Sequence, residues 1–350
     1  MCLKLTLSIR CNYHNRFTLI FVAFAKSLHG LASRNKALSA KDRRVCMRTT
    51  GITSISYKLG EQELEYQDAS GFNEITERER MPAMPQLWGW GSFYASENIF
   101  NLAIDAAQEA LDQAQLTGDK IDYVLFSSSD TRIGFMELNQ GLGTTLSSVQ
   151  LASAEHLGVS MLGCVSTLAA IQQASVLVAN GVAENVLVIA FEQRPVDLLR
   201  FSAYAVFSDA AAAAVISAKA DTGWKILSYQ RNSSTEQMQH GKKLDSNTQT
   251  AVKNAVPEAL SAAGVQVERV RCVFSNSIFL PLKVVKETSW GFSKDKLFTE
   301  NVVRTGHCFG CDSLINLLDH DKINTVNTGE YLVLHADAEG HDAAFVVQKN

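Results

Sequence analysis

The sequence predicts an α/β protein built from two similar halves, and three observations support this. Apolar strand-like runs alternate with helix-like segments twice along the 350 residues. The composition, 46% hydrophobic and 19% charged, suits a folded protein with one or two large cores. A polar break at 219–223 separates the two series. We therefore predict halves at 47–218 and 219–350, each with βαβ-type order.

The first 46 residues differ from the rest. They contain nine Lys or Arg and one acidic residue, Asp42, a charge of +8 in a chain whose formal net charge is -4. The apolar run at 17–24 is short and no clear cleavage site follows it, so a signal or transit peptide is the weaker alternative. We predict that 1–46 form a disordered or mis-assigned extension and that the first strand starts at Met47.

Charge and cysteine content argue against several classes of protein. The net charge of -4, with no basic stripe in the body of the chain, argues against a nucleic-acid partner. No apolar run reaches the roughly 20 residues that span a bilayer, so no membrane partner is expected. Seven irregularly spaced cysteines do not indicate a disulfide framework. We expect a cytoplasmic protein.

In the first half, a loop rich in proline at 81–85 leads to Trp88 and Trp90. A helix is predicted at 96–116 because Ser96 can cap it and apolar residues follow at three- and four-residue steps. A buried strand is predicted at 121–127.

The stretch 161–181 organises the chain. Cys164 directly precedes a helical pattern that ends at Asn180 and Gly181. At a helix N-terminus, unpaired N–H groups and the positive end of the dipole favour thiolate over thiol, which makes this cysteine a candidate acyl acceptor. The alternative is a small buried residue that packs the start of the helix.

Further elements follow in order. A strand at 186–190 and an Ala-rich run at 206–216 complete the first half. In the second half we predict strands at 224–229, 270–275, 331–335 and 343–347, and helices at 248–263, 280–290 and from 312.

The Cys164 segment, the strand after it and the Phe207-Ser208-Asp209-Ala210-Ala211 segment together resemble the β-ketoacyl-acyl-carrier-protein synthase III branch of the thiolase superfamily. In that family the nucleophilic Cys opens a buried helix, and a Phe-Gly-Asp-Gly-Ala segment returns the chain into the core. The resemblance covers about residues 50 to 350. It implies the thiolase fold, with two similar halves in a five-layered α-β-α-β-α arrangement.

The resemblance also shows where this chain departs from the family. Condensing members use Cys, His and Asn, but the region of the family's His-Gln-Ala-Asn segment contains Ser275, Asn276 and Ser277 here. His307 stands where the family has its Asn. Both changes argue against decarboxylation of a malonyl group.

A Gly-His pattern at this place resembles a divergent subgroup of acyltransferases and starter-unit enzymes, some with a Cys-His-Asp set. The subgroup match puts forward Cys164, His307 and Asp342 as the catalytic set, with Asp337 as the alternative acid on the same predicted loop. His335 and His341 remain alternatives for the base. In this chemistry a thiolate attacks an acyl thioester, an imidazole moves the proton, and a carboxylate fixes the tautomer of the imidazole.

The leading prediction is an acyltransferase of the synthase III type (class 2.3.1), acting in fatty acid or secondary metabolite biosynthesis. The alternatives are a carbon–carbon condensing synthase and a silent partner subunit of one. The resemblance implies acyl-CoA or acyl-carrier-protein phosphopantetheine as substrate, no permanently bound cofactor, and a homodimer or a heterodimer with a related synthase. Trp88 and Trp90 lie near the region where the family admits the pantetheine arm.

One further motif has the residue types of a metal site. Cys308 and Cys311 form a C-x-x-C, but no second ligand pair exists at zinc spacing, so no metal is predicted.

Overall fold

The computed structural model describes residues 48–130, 132–195, 197–218, 222–240 and 253–350. The predicted extension at 1–46 lies outside the described residues, as do Met47, 219–221 of the predicted break and 248–252 of a predicted helix.

The strands and helices alternate along the described chain. The strands are β1 (Gly51–Leu59), β2 (Gln62–Glu65), β3 (Ser92–Ala95), β4 (Tyr123–Ser127), β5 (Glu155–Val159), β6 (Asn185–Glu192), β7 (Ala210–Ser217), β8 (Trp224–Ser233), β9 (Val270–Phe274), β10 (Tyr331–Ala338) and β11 (His341–Lys349). The helices are α1 (Phe72–Arg78), α2 (Pro85–Trp88), α3 (Ile99–Ala114), α4 (Phe135–Ser148), α5 (Ser166–Ala179), α6 (Thr235–His240), α7 (Ala255–Ala263), α8 (Leu280–Ser289), α9 (Glu300–Arg304) and α10 (Asp312–Asn324).

Nine strands form one mixed sheet in the order β5-β4-β6-β7-β1-β8-β11-β10-β9. Strand β4 runs parallel to β5 and β6, and β9 runs parallel to β10. The antiparallel pair β1 and β8 joins the strands of the first half to those of the second. The division of the chain at 218/219 stays a prediction.

Helices occupy three layers around the sheet. Helices α5 and α10 share one large core with the inner faces of both halves of the sheet. Helix α3 packs on the outer face of β4, β6 and β7, and α7 packs on the outer face of β9 to β11. Alternate side chains of each strand therefore serve different cores, as the period of two requires. The two halves of the sheet form two β layers, and the helices form one layer between them and one on each outer face. This is the predicted five-layered α-β-α-β-α arrangement.

Local boundaries differ from the predictions at several places, among them the first strand, which begins at Gly51 and not at Met47. The α3 helix begins at Ile99, because the Asn98 side chain and not Ser96 accepts a hydrogen bond from Phe100 N, at 3.0 Å. Asp337 and Asp342 were predicted on a loop, but they lie within β10 and β11 and face each other across the ladder. The connecting turn is only two residues long, with Gly340 at φ 76°.

Within the described ranges, no helix combines the length and the apolar character needed to cross a membrane.

Candidate active site

Cys164 lies in a 3-10 turn, Gly163–Val165, that runs directly into α5. The thiol is free and half-buried. Gly163 has φ +54°, and a Cβ at this position would lie 2.6 Å from the Ala338 Cβ, so glycine is the residue that fits. The turn therefore holds Cys164 at the N-terminal end of a buried helix, as predicted, where the helix dipole favours negative charge.

The backbone of His307 is held by the Phe-Ser-Asp-Ala-Ala segment. His307 N donates to Val206 O at 2.8 Å, and Ser208 N donates to His307 O at 3.0 Å. Gly306 has φ +61°, and a Cβ there would lie 2.6 Å from Val206 O. The close approach of these two segments thus needs glycine next to the histidine.

Asp209 anchors this segment in turn. Its carboxylate is completely buried, pairs with Arg200 at 2.8 Å, and accepts from Ser96 N at 2.8 Å and Arg194 N at 2.7 Å. These donors occupy both carboxylate oxygens and fix the orientation of the side chain. Asp209 therefore fixes the loops around the site and makes no hydrogen bond with the His307 side chain.

The structure brings Cys164 and His307 together. The Cys164 Sγ lies 3.5 Å from His307 Nε2, although the two residues are 143 positions apart. On the other side of the ring, His307 Nδ1 lies 2.5 Å from Asp312 Oδ2. The result is a continuous Cys–His–Asp chain, with the imidazole and the carboxylate both 2% exposed.

Asp312 is held by two backbone donors. Cys308 N donates to Oδ1 at 2.7 Å and Ser277 N donates to Oδ2 at 2.6 Å. Because both carboxylate oxygens are bonded, the side chain has one orientation toward the imidazole. Asp312 is also the first residue of α10, where the helix dipole favours an acid.

The electrostatics of the site favour a charged imidazole. Burial acts to lower the pKa of His307, but the negative charge of Asp312 and the sulfur of Cys164 outweigh it and raise the pKa to about 10. At neutral pH the His307 ring is therefore an imidazolium, which lies between the Asp312 carboxyl group and the Cys164 sulfur.

The choice of Asp342 as the partner of His307 was wrong. Asp342 Oδ2 lies 3.2 Å from His335 Nε2, and its Oδ1 accepts from Ala255 N at 2.7 Å. The alternative, Asp337, pairs with Lys286 at 2.7 Å. The strands β10 and β11 extend further than predicted and include both acids. Their strand neighbours Ala336 and Ala343 face the inner core, so both acids point to the outer layer.

The missed acid carries a local signal. Asp312 follows His307 by five residues and opens a helix after a 3-10 turn, Phe309–Cys311. A histidine and an acid on one tight turn can meet without any long-range pairing. The two alternative bases lie elsewhere: His335 contacts Asp342, and His341 Nδ1 lies 3.0 Å from Ser233 Oγ.

The two tryptophans differ in their surroundings. Trp90 is 5% exposed and packs against Phe72, Phe201 and Phe279. Trp88 is half-buried and stacks on Trp90 with the ring centroids 6.1 Å apart. Trp90 is therefore a core residue, and of the pair only Trp88 remains a candidate for contact with a pantetheine arm.

The C-x-x-C cysteines are completely buried. Their sulfurs point to separate backbone carbonyls, Cys308 to Thr305 O and Cys311 to Ala210 O, each at 3.8 Å. Burial raises the pKa of both thiols well above the usual range, which disfavours the thiolate that binds metal. In the part of the chain described, no three His, Cys, Asp or Glu side chains group as metal ligands.

A further acid, Glu192, lies behind the turn that carries His307. It accepts hydrogen bonds from Ser129 N and Ser129 Oγ, both at 2.9 Å, and from Gly310 N at 3.2 Å. Burial raises the pKa of Glu192 to about 8, against the opposing effect of these donors. The side chain is thus a neutral acid at pH 7 that ties three parts of the site together, a role that the sequence did not indicate.

Comparison with known proteins identifies the fold and one segment that matches a family model. The family model of 3-oxoacyl-[acyl-carrier-protein] synthase III matches residues 160–235, which contain Cys164 and the segment that holds His307. The synthase III of Aquifex aeolicus VF5 superposes with a TM-score of 0.65 at 18% identity, over 85% of this chain and 99% of that one. The chain therefore resembles this family over 160–235 and shares the fold of its solved member.

Two other solved structures share this fold. ChlB3, described as an acyltransferase, gives a TM-score of 0.70 at 14% identity, over 86% of this chain and 98% of that one. A variant of OleA from Xanthomonas campestris gives a TM-score of 0.68 at 14% identity, over 86% of this chain and 98% of that one. No curated protein matches the sequence. The predicted thiolase fold is confirmed.

Proposed function

We propose that this protein is an acyltransferase that forms an acyl thioester on Cys164 and passes the acyl group to an oxygen or nitrogen nucleophile. The observation that carries the proposal is the Cys164–His307–Asp312 chain, in which one imidazole contacts the thiol with Nε2 and a carboxylate with Nδ1. In this arrangement the imidazole can move a proton at the sulfur while the carboxylate supports its charged form.

In the first step, the Cys164 sulfur attacks the carbonyl carbon of an acyl-CoA or an acyl-carrier-protein thioester. A carbon–sulfur bond to Cys164 forms and the carbonyl π electrons move to the oxygen. We place the backbone N–H groups at the start of α5, including that of Cys164, near this oxyanion. The intermediate collapses with loss of the donor's thiolate, which takes the proton of the His307 imidazolium.

In the second step, the neutral His307 takes the proton of an incoming hydroxyl or amine, which attacks the acyl carbon. The bond to Cys164 breaks and the cysteine leaves as thiolate beside the imidazolium, so the starting state is restored. The chemistry of the site supports this order, because acylation removes the contribution of the Cys164 sulfur to the raised pKa of His307. The pKa of the imidazole then falls, which favours the neutral form that this step needs.

Acyl transfer is preferred over carbon–carbon condensation because of the turn at 275–277. Asn276 occupies the region of the family's histidine, and its Nδ2 donates to Asp337 O at 2.9 Å. The family's imidazole is thus replaced by a neutral amide with one of its two hydrogens already used, which makes it a weaker stabiliser of the enolate of a decarboxylating malonyl thioester. A single imidazole then serves both steps.

The test is intact-protein mass spectrometry after incubation with acetyl, medium-chain and malonyl donors. We expect an increase by the mass of one acyl group, mapped to Cys164 and absent in Cys164→Ala, followed by its loss when an alcohol or amine acceptor is added. Release of CO2 with a 3-oxoacyl product would instead establish the condensing alternative. An unmodified Cys164 with all donors, in a chain that copurifies with a related synthase, would indicate a silent partner subunit.

The finer assignments belong to this proposal. We infer acyl-CoA or acyl-carrier-protein phosphopantetheine as donor, Trp88 as a contact of the pantetheine arm, a cytoplasmic location, and a dimer with itself or with a related synthase. A place in fatty acid or secondary metabolite biosynthesis follows from the use of such thioesters.

A further inference from the structure

Helix α8 carries an ion pair that the proposed mechanism does not use. Lys283 Nζ lies 2.7 Å from Glu287 Oε1, and both side chains are 0% exposed. Removing two charges from water is costly, and well-packed apolar residues at such positions are often as stable or more so. Stability alone therefore does not account for this pair.

The ammonium group of Lys283 is directed at one turn. It donates to Ser275 Oγ at 2.9 Å, to Ser275 O at 3.3 Å and to Asn276 O at 3.3 Å. Glu287 accepts a hydrogen bond from the same Ser275 hydroxyl. From the opposite side, Asn316 Nδ2 of α10 donates to Ser275 O at 2.9 Å. The turn at 275–277 is thus held by side chains of two helices.

This turn ends at the candidate active site. Ser277 N donates to Asp312 Oδ2 at 2.6 Å, and the same oxygen lies against His307 Nδ1. A shift of the turn by a few tenths of an ångström would change this bond directly, because the donor is backbone and has no rotamer with which to adjust.

We infer that Lys283 and Glu287 are positioning residues, which fix the turn at 275–277 so that Ser277 N holds the Asp312 carboxylate toward His307. The inference rests on the proposed role of Asp312 and His307. Buried polar groups that specify one geometry at some expense of stability are known in other proteins, and the placement of this pair beside the base fits that use.

The test replaces both charges at once, in Lys283→Met/Glu287→Leu, so that neither is left buried alone. We expect a melting temperature within a few degrees of the wild type, an acylation rate of Cys164 lower by about tenfold, and a lower pKa of His307 in NMR titration of its imidazole. The pKa falls because a loosened Asp312 raises it less. Lys349→Met is the control, since Lys349 pairs with Asp321 at 3.1 Å in another part of the fold.

Ser275→Ala provides a second variant that removes only the hydroxyl shared by Lys283 and Glu287. We expect it to fold and to lower the acylation rate and the His307 pKa in the same direction, by a smaller amount. An unchanged rate and an unchanged His307 pKa in either folded variant would overturn the inference. The titration also separates it from the proposed function, because the pKa of His307 is measurable even if no acyl donor reacts with the wild type.

Discussion

Two buried histidine–aspartate pairs lie in the second half of this chain, and they differ in what the second ring nitrogen meets. His307 contacts Asp312 at 2.5 Å and His335 contacts Asp342 at 3.2 Å. The Nε2 of His307 faces the sulfur of Cys164. The Nδ1 of His335 makes no hydrogen bond among the described residues and lies 3.9 Å from a second carboxylate, Asp337 Oδ1, while the ring packs on Trp290 with centroids 4.4 Å apart.

The difference follows from the layer in which each pair lies. His307 and Asp312 flank the turn that starts α10, next to the start of α5, where the two halves of the sheet share their core. His335 lies on β10 beside Leu334 and Ala336, which face that core, so its own side chain is on the opposite, outer face. An imidazole with a carboxylate is thus a candidate base only where the fold adds a nucleophile.

The largest difference between the two pairs is expected when each histidine is changed to glutamine. For His307→Gln we expect acylation of Cys164 to fall by about 10³-fold, because the proton carrier is lost. For His335→Gln we expect the acylation rate to stay within about threefold and the free energy of unfolding to fall by about 1 to 2 kcal/mol. Rapid-mixing kinetics with a thioester donor measure the acylation rate, and denaturant unfolding measures the stability. An equal loss of activity in both variants would contradict the comparison.

Changing Asp312 and Asp342 to asparagine, one at a time, tests which acid supports the catalytic imidazole. Asp312→Asn is expected to lower the acylation rate on the order of 10²-fold, since an amide supports the imidazolium less well. The rate of the wild type should fall as the pH rises through the His307 pKa of about 10, because the leaving thiolate loses its proton donor. In Asp312→Asn this fall should occur at lower pH.

Asp342→Asn is the matched control. It keeps an oxygen for the Ala255 N–H and alters only the contact with His335, so we expect the pH–rate profile of the wild type with a stability loss of about 1 kcal/mol. A shifted profile in this variant, or an unshifted one in Asp312→Asn, would show that the wrong acid has been assigned.

The smallest effect on activity is expected at Glu192, a buried acid that does not touch an imidazole. Its pKa of about 8 in the folded protein lies above the ordinary value of 4.5, so the folded state holds a proton that the unfolded state has lost. Its contribution to stability is complete below pH 4.5 and is lost as the pH rises toward 8. Between pH 5 and 9 the melting temperature of the wild type should therefore fall more than that of Glu192→Gln, by roughly 10 °C.

Glu184→Gln serves as the control for that experiment, because the Glu184 side chain is 73% exposed. Its melting temperature should follow the wild type at every pH. Parallel curves for the wild type and Glu192→Gln would mean that Glu192 is ionised in the folded protein at neutral pH.

The sequence was most informative about features that depend on residues close together in the chain. Cys164 before a helix and the alternation of strands and helices are short-range patterns, and the structure contains both. The position of His307 was available through the family resemblance. Its partner was missed because the acid was sought on a distant loop, whereas five residues and a 3-10 turn bring Asp312 to the ring. The length of β10 and β11, which turns Asp342 outward, depends on pairing register that no single strand shows.

The distance along the chain between thiol and base has a consequence for synthesis. Cys164 leaves the ribosome 143 residues before His307, and β9 to β11 and α10 must still be added before the imidazole has its surroundings. A nascent chain that exposes the cysteine therefore lacks the group that would activate it. The contact between Cys164 and His307 therefore forms only after the second half of the chain has been synthesised and has folded against the first.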